Sequence, residues 1–247
     1  MTSTEIGIIL PALLAGLLVL STHVPFGREV LARGIIFIDL AIAQIAGLGV
    51  IIAFTAGIHK GWEVQLASVS AALIGAVTLY WAERLWPDIQ EAVIGVAFVV
   101  ASSASLLLIA NHPQGSEHLK DVLIGQILWV EFSDLIPVAI LYAIVLILRR
   151  YLVTQENRLP FYLLFAVTIT ASVQLVGVYL VFASLILPAL AAYRMSSRMQ
   201  LAVGYLVGGL GYLIGLLLAS LLDFPAGPLI VIALAGFSFF VLLLRRK

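Results

Sequence analysis

The chain contains no cysteine at all. That removes disulfides, thiolate metal sites and cysteine nucleophiles, and it leaves the redox compartment open. Charge is scarce: Asp, Glu, Lys and Arg make up 11% of the 247 residues, where a soluble domain carries roughly 25%. Thirteen basic residues balance thirteen acidic ones, so no field of one sign draws nucleic acid or an acidic surface. No GxxxxGK phosphate loop occurs. If ATP drives this protein, another chain must bind it. Finally, no basic residue stands between Met1 and Glu5. A cleaved secretory signal normally has one, so the first helix is expected to be retained.

What fills the chain instead is hydrocarbon. Hydrophobic residues reach 63% and the mean hydropathy is +1.17. A spanning helix needs about 20 apolar residues. Runs of that kind lie at Ile6–Val24, Ile35–Ile58, Val64–Trp81, Ala92–Ala110, Val122–Leu148, Phe161–Ala192, Leu201–Leu222 and Leu229–Leu244. Two of them look compound. Val122–Leu148 is interrupted by Glu131, Ser133, Asp134 and Pro137, and Phe161–Ala192 is too long for one ordinary span and carries Gln174 and Gly177. Bends of this kind are tolerated only where backbone faces protein or a wet cavity. The expectation is an all-α, polytopic transmembrane helix bundle of about seven to nine segments, some short or broken. No stretch is polar enough for a separate soluble domain, so residues 1–247 read as one transmembrane domain in contact with lipid.

Basic residues cluster at Arg28/Arg33, Arg84, Arg149/Arg150/Arg158, Arg194/Arg198 and Arg245/Arg246/Lys247. Placing these inside gives a consistent alternation from Arg28 onward, with the C-terminus cytoplasmic, if Phe161–Ala192 enters and returns. The N-terminus then lies outside, unless Val24–Ile35 is itself embedded.

Polar residues inside such a chain are functional candidates, because an ionised group at a helix centre costs about 2.5 kcal/mol or more. Asp39, in the Ile35–Ile58 run, comes first, with Gln44 further along the same run. Pairing of Asp39 with Arg28, Arg33 or a backbone amide is the plainer reading, and interhelical hydrogen bonding is the plainer reading of Gln44. Glu91 follows Trp86–Pro87–Asp88 and suits the first turn of a helix, where the dipole favours an anion. His112, Glu117, His118 and Asp121 gather in a predicted outer loop and could form a metal-binding mouth. His23 and His59 read as structural, and Glu131 and Asp134 as solvated residues at a break. Ser102, Ser103 and Ser105 are expected to bond back to their own helix or to line a polar path. Gly204/Gly208 and Gly211/Gly215 are small-xxx-small pairs that let helices approach closely.

The sequence VGVYLVFASLILPALAAYR from Val176 to Arg194, followed by LLDFPAGP from Leu221 to Pro228, closely resembles the permease subunits of bacterial zinc and manganese ABC importers. The matching positions include Gly177, Pro188, Arg194, Asp223, Pro225 and Gly227. Pro188 is expected to end a helix, and Asp223 with Pro225 and Gly227 to make a tight turn. Upstream, LPALLAGLLVL from Leu10, PFG from Pro25, QEAVIGVAFVVASSASLLLI from Gln90 and HLKDVLIGQILWV from His118 resemble further family segments in the family's order. The resemblance implies a homodimeric permease in a bacterial inner membrane, served by two ATP-binding subunits and an extracytoplasmic metal-binding protein. Zn or Mn would be cargo rather than cofactor. The path residues it suggests are Asp39, Gln44 and Glu91, and no residue is catalytic.

Two departures stand out. The family's second span carries G-D-x-L-x-H, and an ungapped count from Pro25 puts that Asp on Leu40 and that His on Gln44. Asp39 and Gln44 are five residues apart, roughly 140° around a helix, so the family's metal gate is absent or rebuilt. The family's coupling segment, which docks on the ATPase, is also shortened here to RRYLVTQENRLPF from Arg149. Either another loop docks, with Arg194–Arg198 next in line, or the chain is a divergent member without ATP coupling, an accessory membrane protein or a passive channel. A membrane enzyme is the third possibility, and the sequence shows no cluster of convergent catalytic groups for it.

Overall fold

The computed structural model describes residues 3–58, 60–110, 125, 127–154 and 157–245. Among them are nine α-helices and no strand: α1 Ser3–Arg33, α2 Ile38–Thr55, α3 Gly61–Leu85, α4 Gln90–Ile109, α5 Phe132–Leu152, α6 Leu159–Val176, α7 Val178–Ala191, α8 Ser197–Leu222 and α9 Ala226–Leu244. Short 3-10 turns precede α4 (Pro87–Ile89) and α5 (Ile127–Trp129). Eight helical segments are long and apolar enough to cross a membrane, and α7 is the short ninth. The chain is a multi-pass membrane protein.

Several boundaries differ from those read in the sequence. The first span does not stop at Val24; α1 runs 31 residues to Arg33, with Pro11 and Pro25 inside it. The second begins only at Ile38, after Gly34 takes a left-handed φ of 71° and Ile38 N–H bonds Ile35 C=O. Asp39 therefore stands in the first turn of α2, nearer the helix start than a run beginning at Ile35 implies. The break at Glu131–Asp134 is a helix start: the Asp134 carboxylate accepts from Glu131 N–H at 2.9 Å, the back-bond of a capping box. The long sixth run does divide, at Gly177, whose φ of 84° and ψ of 162° part α6 from α7. Pro188 does not end its helix, since α7 continues to Ala191. Asp223 takes a left-handed φ of 54° at the end of α8, and Pro225 caps the start of α9, so the expected tight turn is present. Arg194 also adopts a positive φ, 63°, in the exposed turn before α8.

The chain forms two compact units. One comprises Met1–Arg33, Leu123–Ala143 and Gln174–Lys247. Within it α8 is the hub, and the two glycine pairs serve its two sides. Gly204 and Gly208 lie against Val24 and Leu20 of α1, and Gly211 and Gly215 against Leu234 and Ile230 of α9. Buried Tyr212 shares a 2.8 Å hydrogen bond with Ser184 of α7, and Gly27 brings α1 onto the Leu185 carbonyl. The other unit comprises Gly34–Val122 and Ile144–Val173. There α2 packs on α3 and α4. Phe161 stacks on Phe165 at 5.6 Å, Tyr80 meets Tyr162 edge-on, Gln90 donates to the Tyr162 hydroxyl at 2.6 Å, and Arg158 pairs with Glu83.

Candidate functional site

The start of α2 is an open helix end, where the first four amides lack an intrahelical acceptor. One is met from another helix. Phe37, the residue capping α2, donates its N–H to Glu91 Oε1 at 3.2 Å, so the first-turn acid of α4 reaches across to the first turn of α2. Asp39 stands in that same turn, 1% exposed, and interacts electrostatically with Glu91. The amides of Asp39 and Leu40 also lie near its carboxylate, without meeting it in hydrogen-bonding geometry. Among the described residues, three buried carboxylate oxygens thus lack a donor in hydrogen-bonding geometry: Oδ1 and Oδ2 of Asp39 and Oε2 of Glu91, with the Ile36 amide also near the Glu91 carboxylate.

The basic neighbours expected for Asp39 are engaged elsewhere. Arg28 donates to Gln200 at 2.8 Å and to Ser197 at 2.9 Å, and Arg33 forms an ion pair with Glu29. Two acids at neighbouring helix starts, under-supplied with donors, are a candidate site for a cation, since burying unpaired carboxylate is costly. The helix dipole compensates only part of this, about 0.3–1 kcal/mol for an anion at an exposed helix start.

Gln44 is 8% exposed, and the five-residue step puts it on another face of α2 from Asp39. Glu91, not Gln44, is the group brought to Asp39. Along α4 the next polar side chain on the Glu91 face is Ser102, eleven residues or about three turns on. Its buried Oγ makes no hydrogen bond, against the expectation that it would bond back to its own helix. The site therefore holds oxygen donors only. Among the described residues no three His, Cys, Asp or Glu side chains converge as a metal cluster. His23 is fully buried in α1, its Nδ1 3.0 Å from the Val19 carbonyl. His112, Glu117, His118 and Asp121, and also His59, lie outside the described residues. Gly177, Pro188, Arg194, Asp223, Pro225 and Gly227 are all placed at helix breaks, first or last turns, or tight turns. They shape backbone rather than this site.

The pairing of Asp39 with Glu91 could not be found in the sequence, because 52 positions separate them. The one available signal was that each acid opens a helix.

The sequence pattern of the ABC 3 transport family matches residues 5–156 and 152–245. The chain is 26% identical over 261 aligned positions to the high-affinity zinc uptake system membrane protein ZnuB of Haemophilus influenzae, covering 97% of this chain and 98% of that one. It is 25% identical over 227 positions to the manganese transport system membrane protein MntC of Halalkalibacterium halodurans, covering 83% of this chain and 76% of that one. Among solved structures, PsaBC from Streptococcus pneumoniae in complex with Fab superposes with a TM-score of 0.71 at 20% identity, covering 95% of this chain and 89% of that one. At that identity the likeness speaks for the fold.

Proposed function

Since the chain belongs to the ABC 3 transport family, we propose that it is the permease subunit of an ABC-type divalent metal importer in a bacterial inner membrane, carrying Mn or Zn. The observation that carries the reading to particular residues is the Asp39–Glu91 pair, with its three buried, donor-free carboxylate oxygens. A cation entering between α2 and α4 exchanges hydration water for these oxygens, with Ser102 further along the same face of α4. Oxygen-only contacts suit Mn better than Zn, which prefers nitrogen and sulfur. With Gln44 where the family's histidine falls, the donors this site offers are oxygens.

The chain makes and breaks no bond of its substrate. Hydrolysis belongs to separate ATP-binding subunits, cargo arrives from an extracytoplasmic metal-binding protein, and two copies of the chain form the path. Only Val153 to Arg158 join α5 to α6, and no helix occurs among the described ones. Contact with the ATPase falls instead to the exposed turn from Tyr193 to Arg198, with Arg194 and Arg198 offered outward.

The test is reconstitution of the chain with the ATPase encoded beside it. ATP-dependent Mn or Zn uptake into proteoliposomes is expected, and it should fall with Asp39→Asn and with Glu91→Gln. Absence of a complex, together with uptake no greater than in empty liposomes, would leave the fold serving an uncoupled role.

A further inference from the structure

The span formed by α6 and α7 includes the most enclosed of the long helices. From Leu159 to Ala191 every residue is buried or half-buried except two, Gln174 and Tyr179. Both are polar. Exposed positions elsewhere on membrane-crossing helices are largely apolar, such as Leu107 of α4 at 76% and Ile232 of α9 at 66%, with single hydroxyls such as Thr78, Ser103 and Tyr205 among them. The apolar ones suit lipid. An amide or phenol facing hydrocarbon forfeits its hydrogen bonds, at a cost of a few kcal/mol, so polar side chains at membrane depth turn toward water or protein.

Depth follows from helix length. α7 has 14 residues between Gly177 and the arginine-bearing turn at Arg194, about 21 Å of helix at 1.5 Å per residue. Gly177 therefore lies short of the far side of a hydrocarbon layer roughly 30 Å thick. Gln174 and Tyr179 flank that break, where the last carbonyls of α6 and the first amides of α7 lose their intrahelical partners. Gly125 is laid directly on the junction: a Cβ there would come within 2.2 Å of the Val176 carbonyl oxygen. Backbone of this kind is tolerated within a membrane where it is covered by protein or lines water. Gly125 covers one side of the break, and the two exposed polar side chains mark the other.

We propose that Gln174 and Tyr179 are a water-facing contact for the translocated divalent cation, whose hydration shell is partly replaced by the Gln174 amide oxygen and the Tyr179 phenol oxygen. Neutral oxygens at a broken helix hold such an ion weakly enough to release it, as conduction requires. The identity of the ion rests on the importer reading; the access to water rests on the exposure of these two residues alone.

The absence of cysteine makes the test direct. Gln174→Cys and Tyr179→Cys each give the chain one thiol. In vesicles carrying the chain with its ATPase, a charged, membrane-impermeant methanethiosulfonate should modify both within about tenfold of the rate at Lys60→Cys, exposed just before α3, because the reactive thiolate forms only in contact with water. Ile232→Cys, facing lipid, should stay unmodified. Mn, a poor partner for a lone thiol, should slow modification of Tyr179→Cys by about threefold at twice its dissociation constant, as simple occupancy requires. That protection should vanish when Gln174→Leu is added and persist with Gln174→Asn. Labelling as slow as at Ile232→Cys would overturn the proposal. So would labelling indifferent to Mn. Failure of the importer reading shows separately, as no Mn or Zn uptake by the unsubstituted chain.

Discussion

Replacing Gly177 with alanine puts a side chain where the backbone has no room for one to be relaxed. At φ 84° and ψ 162° the residue occupies a region that is essentially restricted to glycine, and a Cβ there costs about 1–3 kcal/mol. The strain could be released only by rotating residue 177 to a negative φ. That would re-aim α7 against α6 and unseat Gly125, whose ideal Cβ position is 2.5 Å from Gly177 N. Either outcome lowers stability. For a chain of this size each kcal/mol is worth about 2–4 °C, so Gly177→Ala should melt about 2–12 °C below the unsubstituted chain. The assay is intrinsic fluorescence of the four tryptophans during heating in detergent micelles. Gly236→Ala is the control: it lies within α9 with nothing inside 4 Å of its Cβ position. There alanine gains up to about 1 kcal/mol of helix propensity, so its melting temperature should hold or rise. Equal melting of Gly177→Ala and the parent chain would refute the reasoning.

Gly27→Ala should also destabilise, by about 1–3 kcal/mol from overpacking, because its Cβ would sit 2.0 Å from the Leu185 carbonyl oxygen; the same melting assay reads it. Tyr212→Phe removes the 2.8 Å hydrogen bond to Ser184 and should cost about 0.6–1.7 kcal/mol, the range found for interhelical hydrogen bonds in membranes. Asp134→Ala removes the cap on the Glu131 amide and should cost about 1 kcal/mol. It should leave cation uptake at the parent rate, since that acid starts a helix and is not placed on the path.

The apolar runs announced all eight long segments, since a length of about 20 hydrophobic residues is a constraint set by the bilayer. The division at Gly177 was legible for the same reason: Phe161–Ala192 exceeds one span and carries a glycine at its centre. The end of α1 was misread because a proline inside a long helix does not always stop it when neighbouring helices supply packing, as Pro25 shows. The position of Asp39 was misread because Gly34, Ile35 and Ile36 continue the apolar run while forming a turn. Hydropathy does not register that change of backbone. The candidate site was the least legible part. Asp39 and Glu91 could each be picked out singly as costly charges, but the packing of α2 on α4 that joins them carries no partner information in the sequence. Gln174 stood out as polar; Tyr179 did not, because its exposure exists only in three dimensions.

The most direct test of the central claim is a double-mutant cycle on initial Mn uptake in proteoliposomes containing the chain and its ATPase, using Asp39→Asn, Glu91→Gln and the pair together. If both carboxylates hold one cation, each single substitution should cut uptake about tenfold or more, equivalent to ~1.4 kcal/mol. The double substitution should then do little further harm, as for groups that act as a unit. Uptake that survives both single substitutions, or losses that simply multiply in the double, would contradict a shared cation site at the start of α2.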